Sequence, residues 1–127
     1  MSVKMTAKEY RAMINADRFE VDFKADVFRY LETIGVWVWN NPRGVYTVGG
    51  QSIVFGGPEG ASDLFGVLPN GRFLAVETKN PNGTGRVSVG QQHFVNRVNR
   101  MGGVGVIAKT IEEVIAQVRP ETVRRKL

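Results

Sequence analysis

The chain has no cysteine. Disulfides and thiolate metal sites are therefore excluded, and a hard-metal site built from oxygens stays open. Histidine is nearly as scarce, and the lone His93 makes no ligand cluster. No apolar run approaches the ~18 residues that a membrane-crossing helix needs. No signal-peptide core follows Met1-Ser2-Val3-Lys4-Met5, so secretion by the usual route is not expected and a cytoplasmic setting is. Also lacking are a helix-turn-helix, a zinc finger, an internal repeat, a low-complexity tract and a domain linker.

What is present suits one soluble globular domain. The 127 residues suffice for one core and are too few for two ordinary domains. Hydrophobic residues make up 43% and charged ones 23%, the usual balance for such a domain. The net charge of +5 is unevenly spread. Arg119, Arg124, Arg125 and Lys126 fall in residues 119–127 against one acid, Glu121, and the rest of the chain carries only +2. A mildly basic domain with a basic tail favours polyanions such as nucleic acid. The tail also reads as a solvated, solubilising terminus.

Periodicity divides the chain into short elements. Residues 6–15 read as a helix, with Thr6 and Glu9 at capping-box spacing. A second helix is expected over 20–34, carried by Phe23, Val27, Leu31 and Ile34 and stopped by Gly35. Residues 36–39 read as a strand. Trp37 and Trp39 share one of its faces, and core packing is the expectation for them rather than base stacking. Residues 45–48 and 52–55, split by Gly49-Gly50, suit a small hairpin or an irregular loop. Residues 64–68 and 73–77 read as strands joined by Pro69-Asn70-Gly71, a strong turn signal. A helix is expected over 89–101, with Phe94, Val95, Val98 and Met101 facing the core. A strand over 104–108 and a helix over 111–118 complete the order. The class is α/β, with a central mixed sheet flanked by helices.

The most informative feature is split between Gly60-Ala61-Ser62-Asp63 and Glu77-Thr78-Lys79. Glu77 and Lys79 are two apart, so on a strand both point to one side. Antiparallel pairing of 64–68 with 73–77 brings Asp63, at the start of one strand, to the end of the other. Two carboxylates and an ammonium then share a site able to hold a divalent metal and activate a water against a phosphodiester. The Thr78 carbonyl could add a metal ligand, and Glu20 a third carboxylate from its helix. Lys79 could orient the water, act as a base or stabilise the transition state. Gln91 stands at capping-box spacing from Ser88, and could either close a helix turn or bond a phosphate or water. Arg43, Arg72, Arg86, Arg97 and Arg100 are candidate phosphate contacts, with Arg86 foremost because its loop follows the site. Glu-x-Lys alone also occurs as a plain surface ion pair, and Asp63 as a turn cap.

Taken together, these blocks resemble the VRR-NUC (virus-type replication-repair nuclease) family of the PD-(D/E)xK superfamily. Gly60-Ala61-Ser62-Asp63-Leu64-Phe65-Gly66 looks like the family's Gly-x-Ser-Asp block, and Glu77-Thr78-Lys79 like its Glu-x-Lys block. Ser88 with Gln91-Gln92-His93-Phe94 resembles its Ser-x-x-Gln-x-x-Phe block. Gly102-Gly103-Val104-Gly105-Val106 and Ile111-Glu112-Glu113-Val114 resemble its closing strand and helix. Glu20 occupies the place of the glutamate on the first core helix, and Ser62 replaces the superfamily's proline, as is usual in this family. The resemblance covers about 17–118 of a single nuclease domain. It implies a restriction-endonuclease-like fold and Mg²⁺- or Mn²⁺-dependent DNA hydrolysis, with Asp63, Glu77, Lys79, Gln91 and Glu20 in the catalytic site. It also implies selectivity for branched DNA such as Holliday junctions, a role in replication or repair, and a homodimer, since paired cuts need two sites. Small members are often carried by phages, for which the compartment is the host cytoplasm. The alternatives are a lesion-directed or non-sequence-specific duplex nuclease and a non-catalytic nucleic-acid-binding module.

Overall fold

The computed structural model describes Ala7, residues 23–80 and residues 86–125. The expected helix over 6–15 and Glu20 lie outside the described residues, apart from helical Ala7. Helix α1 covers 23–33, and its four-residue repeat of Phe23, Val27 and Leu31 is buried. Gly35, at φ 88°, ends it in a backbone region that favours glycine.

The chain continues as β1 (Trp37–Asn40), β2 (Gly44–Val48), β3 (Gln51–Phe55), β4 (Leu64–Val67) and β5 (Phe73–Thr78). Then follow α2 (Val89–Arg100), β6 (Val104–Ala108), α3 (Ile111–Gln117) and α4 (Pro120–Val123). One mixed sheet has the order β1-β4-β5-β6. Its β1/β4 and β4/β5 pairs are antiparallel and its β5/β6 pair is parallel. Strands β2 and β3 form a separate antiparallel hairpin between β1 and β4, which settles the open reading of 45–55. The mixed α/β class is as expected from the sequence.

The sheet has two unlike faces. Val38, Leu64, Leu74, Val76 and Val106 pack with Phe23, Val27 and Leu31 of α1, with Val114 of α3 and with Val123 of α4. Val118, at the end of the expected helix, and Val123, within the segment read as a basic tail, are both drawn onto this core. The Tyr30 hydroxyl donates to the Val118 carbonyl at 2.7 Å, and Pro120 opens α4 at a position where its missing N–H costs nothing. On the opposite face α2 lies over β5 and β6. Among the described residues no helix is long and apolar enough to cross a membrane.

Two expectations for that second face do not hold. Trp37 is 72% and Trp39 37% exposed, so neither is a core residue. They lie on an edge strand, on the side away from α1, and α2 does not extend over them. Met101, expected to face the core, is also exposed, because α2 ends at Arg100 and Met101 is its C-cap.

The approach of α2 to β6 depends on Gly105, where a Cβ would meet the Val95 carbonyl oxygen at 2.6 Å. Gly105→Ala is expected to lower stability by about 1–3 kcal/mol through overpacking against rigid helix backbone. A urea midpoint equal to that of the parent chain would show that α2 can shift freely.

Candidate functional site

The β4–β5 turn sets the geometry of the site. Gly71 adopts φ 89°, its N–H donates to Leu68 O at 2.7 Å, and the Asn70 side chain accepts from Arg72 N at 3.0 Å. Leu64 then pairs with Val76, so Asp63 stands next to Glu77 across the strand ends. Asp63 Oδ2 accepts from both the N–H and the hydroxyl of Thr78, each at 3.0 Å. The Thr78 hydroxyl had no signal in the sequence, where only its carbonyl drew attention.

Glu77 projects toward α2. Its Oε1 accepts from Gln91 Nε2 at 2.9 Å and lies 3.4 Å from Lys79 Nζ. Its Oε2 is buried and, among the described residues, has no side-chain partner, while the Asp63 backbone N–H lies near enough to the carboxyl to favour its charged form. The group is 4% exposed, and burial pushes its pKa from 4.5 up to about 7. The Asp63 charge adds to the rise, and the Lys79 ammonium opposes it.

Of the two roles left open by the sequence, Gln91 fills the helix cap, and its remaining donor goes to Glu77. Its Oε1 accepts from Ser88 N at 2.9 Å, and its own N–H donates to Ser88 Oγ at 3.0 Å, which completes a capping box. The other end of the same amide holds Glu77. Gly60, at φ 81°, lies so close to the Gly90 backbone that no Cβ would fit. The loop carrying Asp63 is thereby pressed against the first turn of α2. Asn41 braces this loop from the other side. Its N–H donates to Asp63 O at 2.8 Å, and its side-chain amide reaches Gly56 O and Ser62 O. No sequence pattern signals this role of Asn41.

Asp63, Glu77, Lys79 and Gln91 are thus brought together. Glu20 lies outside the described residues. Arg43 and Arg86 are exposed and flank the site in the chain, beside Asn41 and Ser88. Arg72, Arg97 and Arg100 stand at the other end of β5 and α2, and Arg72 is occupied by bonds to Gly102 O and Gly103 O. A groove of about 1070 Å³ runs between α2 and the Phe73 end of β5, but none of the four clustered residues lines it. The donor set, not this groove, locates the site.

The residues fit a hard divalent cation. Their candidate ligand atoms are oxygens, and among the described residues no side chain donates to the buried Glu77 Oε2. Among the described residues no group of three or more His, Cys, Asp or Glu side chains gathers. One or two carboxylates completed by waters and substrate phosphate is a common Mg²⁺ arrangement. A scan against protein-family models and searches of curated proteins and of solved structures find no match to the chain.

The buried carboxylate makes stability depend on pH. Unfolded, Glu77 loses its proton near pH 4.5; folded, near pH 7. Between these values the folded state holds more protons, so stability falls as pH rises and levels off above about 7. At about 1.4 kcal/mol per unit the loss is about 3 kcal/mol. In chelator, Glu77→Gln should remove this decline and leave the variant more stable than its parent at pH 8. Parallel denaturation midpoints for the two proteins from pH 5 to 8 would refute it. Gln91→Glu keeps the helix cap but places a second carboxylate against Glu77, and should steepen the decline in the same measurement.

Proposed function

We propose that the chain is a divalent-metal-dependent DNA endonuclease of the VRR-NUC type, with a restriction-endonuclease-like fold, acting on branched DNA as a homodimer. The observation that carries this reading is the convergence of Asp63, Glu77, Lys79 and Gln91 on one small buried site from three separate segments. A purely structural ion pair would not need a buried carboxylate oxygen without a side-chain partner, whose proton is held up to about pH 7. The mixed sheet with helices on both faces is the architecture that this reading requires.

Asp63 and Glu77 would hold Mg²⁺ or Mn²⁺, with the Thr78 carbonyl and Glu20 as further ligands. Such an ion supplies Lewis-acid polarisation of a phosphodiester oxygen and acidifies a water. The chain's own residues do the rest. Thr78 fixes Asp63 by two bonds to one oxygen, which leaves Oδ1 outside that pair. Gln91 fixes Glu77 by its amide. Lys79, with its Nζ beside the Glu77 carboxylate, suits electrostatic stabilisation of charge developing on phosphorus more than general-base work. The N-terminal turn of α2 carries no acidic residue, and its free N–H end favours the phosphate. Arg43 and Arg86 are the arginines placed to contact DNA backbone nearby.

The test is a substrate panel of four-way junctions, flaps, splayed arms, duplex and single strands with Mg²⁺ or Mn²⁺. Metal-dependent cleavage of branched DNA is expected, and Lys79→Ala should slow it by roughly 10²–10³-fold while binding persists. Asp63→Asn should abolish the metal response. A folded Lys79→Ala protein that cleaves at the parent rate, or a parent that cleaves nothing in the panel, would sink this function. Binding without turnover would favour the nucleic-acid-binding module, and cutting of plain duplex without preference would favour a general nuclease.

A further inference from the structure

Helix α2 has a one-sided charge. It contains His93, Arg97 and Arg100 and no aspartate or glutamate, and all three are exposed. Among the described residues neither arginine has a carboxylate within ion-pair distance. Arg72, at the start of β5, is likewise unpaired with acid. It donates through Nε to Gly102 O at 2.8 Å and through Nη2 to Gly103 O at 3.0 Å. Bonds to carbonyls fix a guanidinium without cancelling its charge, and Nη1 takes no part in them.

These cations border the groove of about 1070 Å³ between α2 and the Phe73 end of β5. Arg72, His93 and Arg97 line it together with the rings of Phe73 and Phe94, and among the described residues Glu59 is its one acid. Phe73 is 39% exposed. Phe65 braces both rings from behind, with centroids 5.3 Å from Phe73 and 5.9 Å from Phe94. The lining follows α2 from Val89 to Met101, a length of about 18 Å. Its near end is Gly90, which packs on Gly60 and precedes Gln91, the residue that holds Glu77. The groove thus leads up to the carboxylate cluster without including it.

We propose that this groove holds an unpaired nucleic-acid strand, with bases stacked on Phe73 and Phe94 and phosphates against Arg72 and Arg97. Its use in leading a strand to the cluster rests on the nuclease reading above; the binding itself does not. Two features select the occupant. A helix without acids, beside a further arginine, favours a polyanion. The rings then choose among polyanions. Bases in a duplex stack on one another and offer only their edges, so an open phenylalanine face takes a base from an unpaired strand. Aromatic rings interleaved with cations are what single-strand grooves use in general. At ~3.4 Å per stacked nucleotide the groove accommodates about five. An apolar segment of protein would cover the rings but would desolvate the arginines without giving them a partner.

The test follows the anisotropy of a labelled oligothymidylate of about eight nucleotides with the intact chain in chelator. Micromolar binding is expected, at least 5-fold tighter than to a blunt duplex of equal length. Arg97→Ala should weaken it roughly 5–10-fold and lower the slope of log affinity against log salt by about 0.7, the share of one phosphate contact on a single strand. Phe73→Leu keeps an apolar side chain without a ring face, and should weaken binding roughly 10-fold with the salt slope unchanged. Unfolding of both variants should stay cooperative. A parent that ignores the single strand or binds duplex as tightly overturns the proposal, as do folded variants that bind like the parent. Preference for oligouridylate would assign the strand to RNA and overturn the groove's use in a deoxyribonuclease. Binding is read without metal, so the two readings fail separately. A chain that binds in this way and cleaves nothing keeps the groove and loses the nuclease; one that cleaves while both variants bind at parent strength does the reverse.

Discussion

The pairing register of β4 with β5 is the constraint on which the rest depends. Side chains alternate along a strand, so a slip of one residue would turn Glu77 from α2 toward α1 and remove Asp63 from its side. Two features hold the register. The turn at Asn70-Gly71 closes one end, where Gly71 takes a backbone conformation that side chains resist. Leu64, Leu74 and Val76 are fully buried against α1, and a slip would bring them out. The strand ends that carry the polar cluster are thus aligned by the apolar part of the sheet. The polar cluster does not have to align itself, and can afford to be unfavourable.

That freedom is used at Glu77. A carboxylate that is buried, near Asp63 and incompletely bonded does not stabilise the fold. It is retained by neighbours with other reasons to be where they are. Lys79 N donates to Ala108 O and so extends the parallel pairing of β5 with β6. Gln91 closes the first turn of α2 with its oxygen, leaving its nitrogen for Glu77. Since the helix cap fixes the Gln91 side chain, the bond to Glu77 needs no further ordering of a long side chain. The close packing of Gly60 on Gly90 then limits movement of Asp63 relative to this amide. Each member of the site is positioned by a structural bond that would exist without any chemistry.

The parts legible in the sequence were those set by local rules. Asn70-Gly71, the Ser88–Gln91 spacing and the apolar repeat of α1 each specify a conformation within a few residues. The convergence of Asp63, Glu77 and Lys79 follows from one of them, the turn. What escaped was decided by distant packing. Alternation in Trp37-Val38-Trp39 shows two faces but not which one a helix covers, and here the valine faces the core. Val123 looked like part of a solvated tail because its neighbours are charged, yet its place over α1 is set by Pro120 and the Tyr30 bond to Val118. Arg72 looked free for phosphate because nothing local claims it, but two carbonyls after α2 do. The roles of Thr78 and Asn41 toward Asp63 depend on strand ends meeting, which no short pattern records.

Charge divides the molecule in a way that ties these points together. Strands β1 to β4 contain no charged residue, Asp63 stands just before β4, and β5 carries Glu77 near its far end with Lys79 just after. The site therefore lies at the boundary between a region without charge and the charged remainder. The cation in contact with Glu77 is Lys79, from the strand's own end. Arg43 and Arg86 are exposed and flank the cluster in the chain. An arginine against Glu77 would pull its pKa down and form a buried pair. Lys79 sits between these extremes. It touches one oxygen of Glu77 and leaves the other without a side-chain partner, so the site is held together but not satisfied.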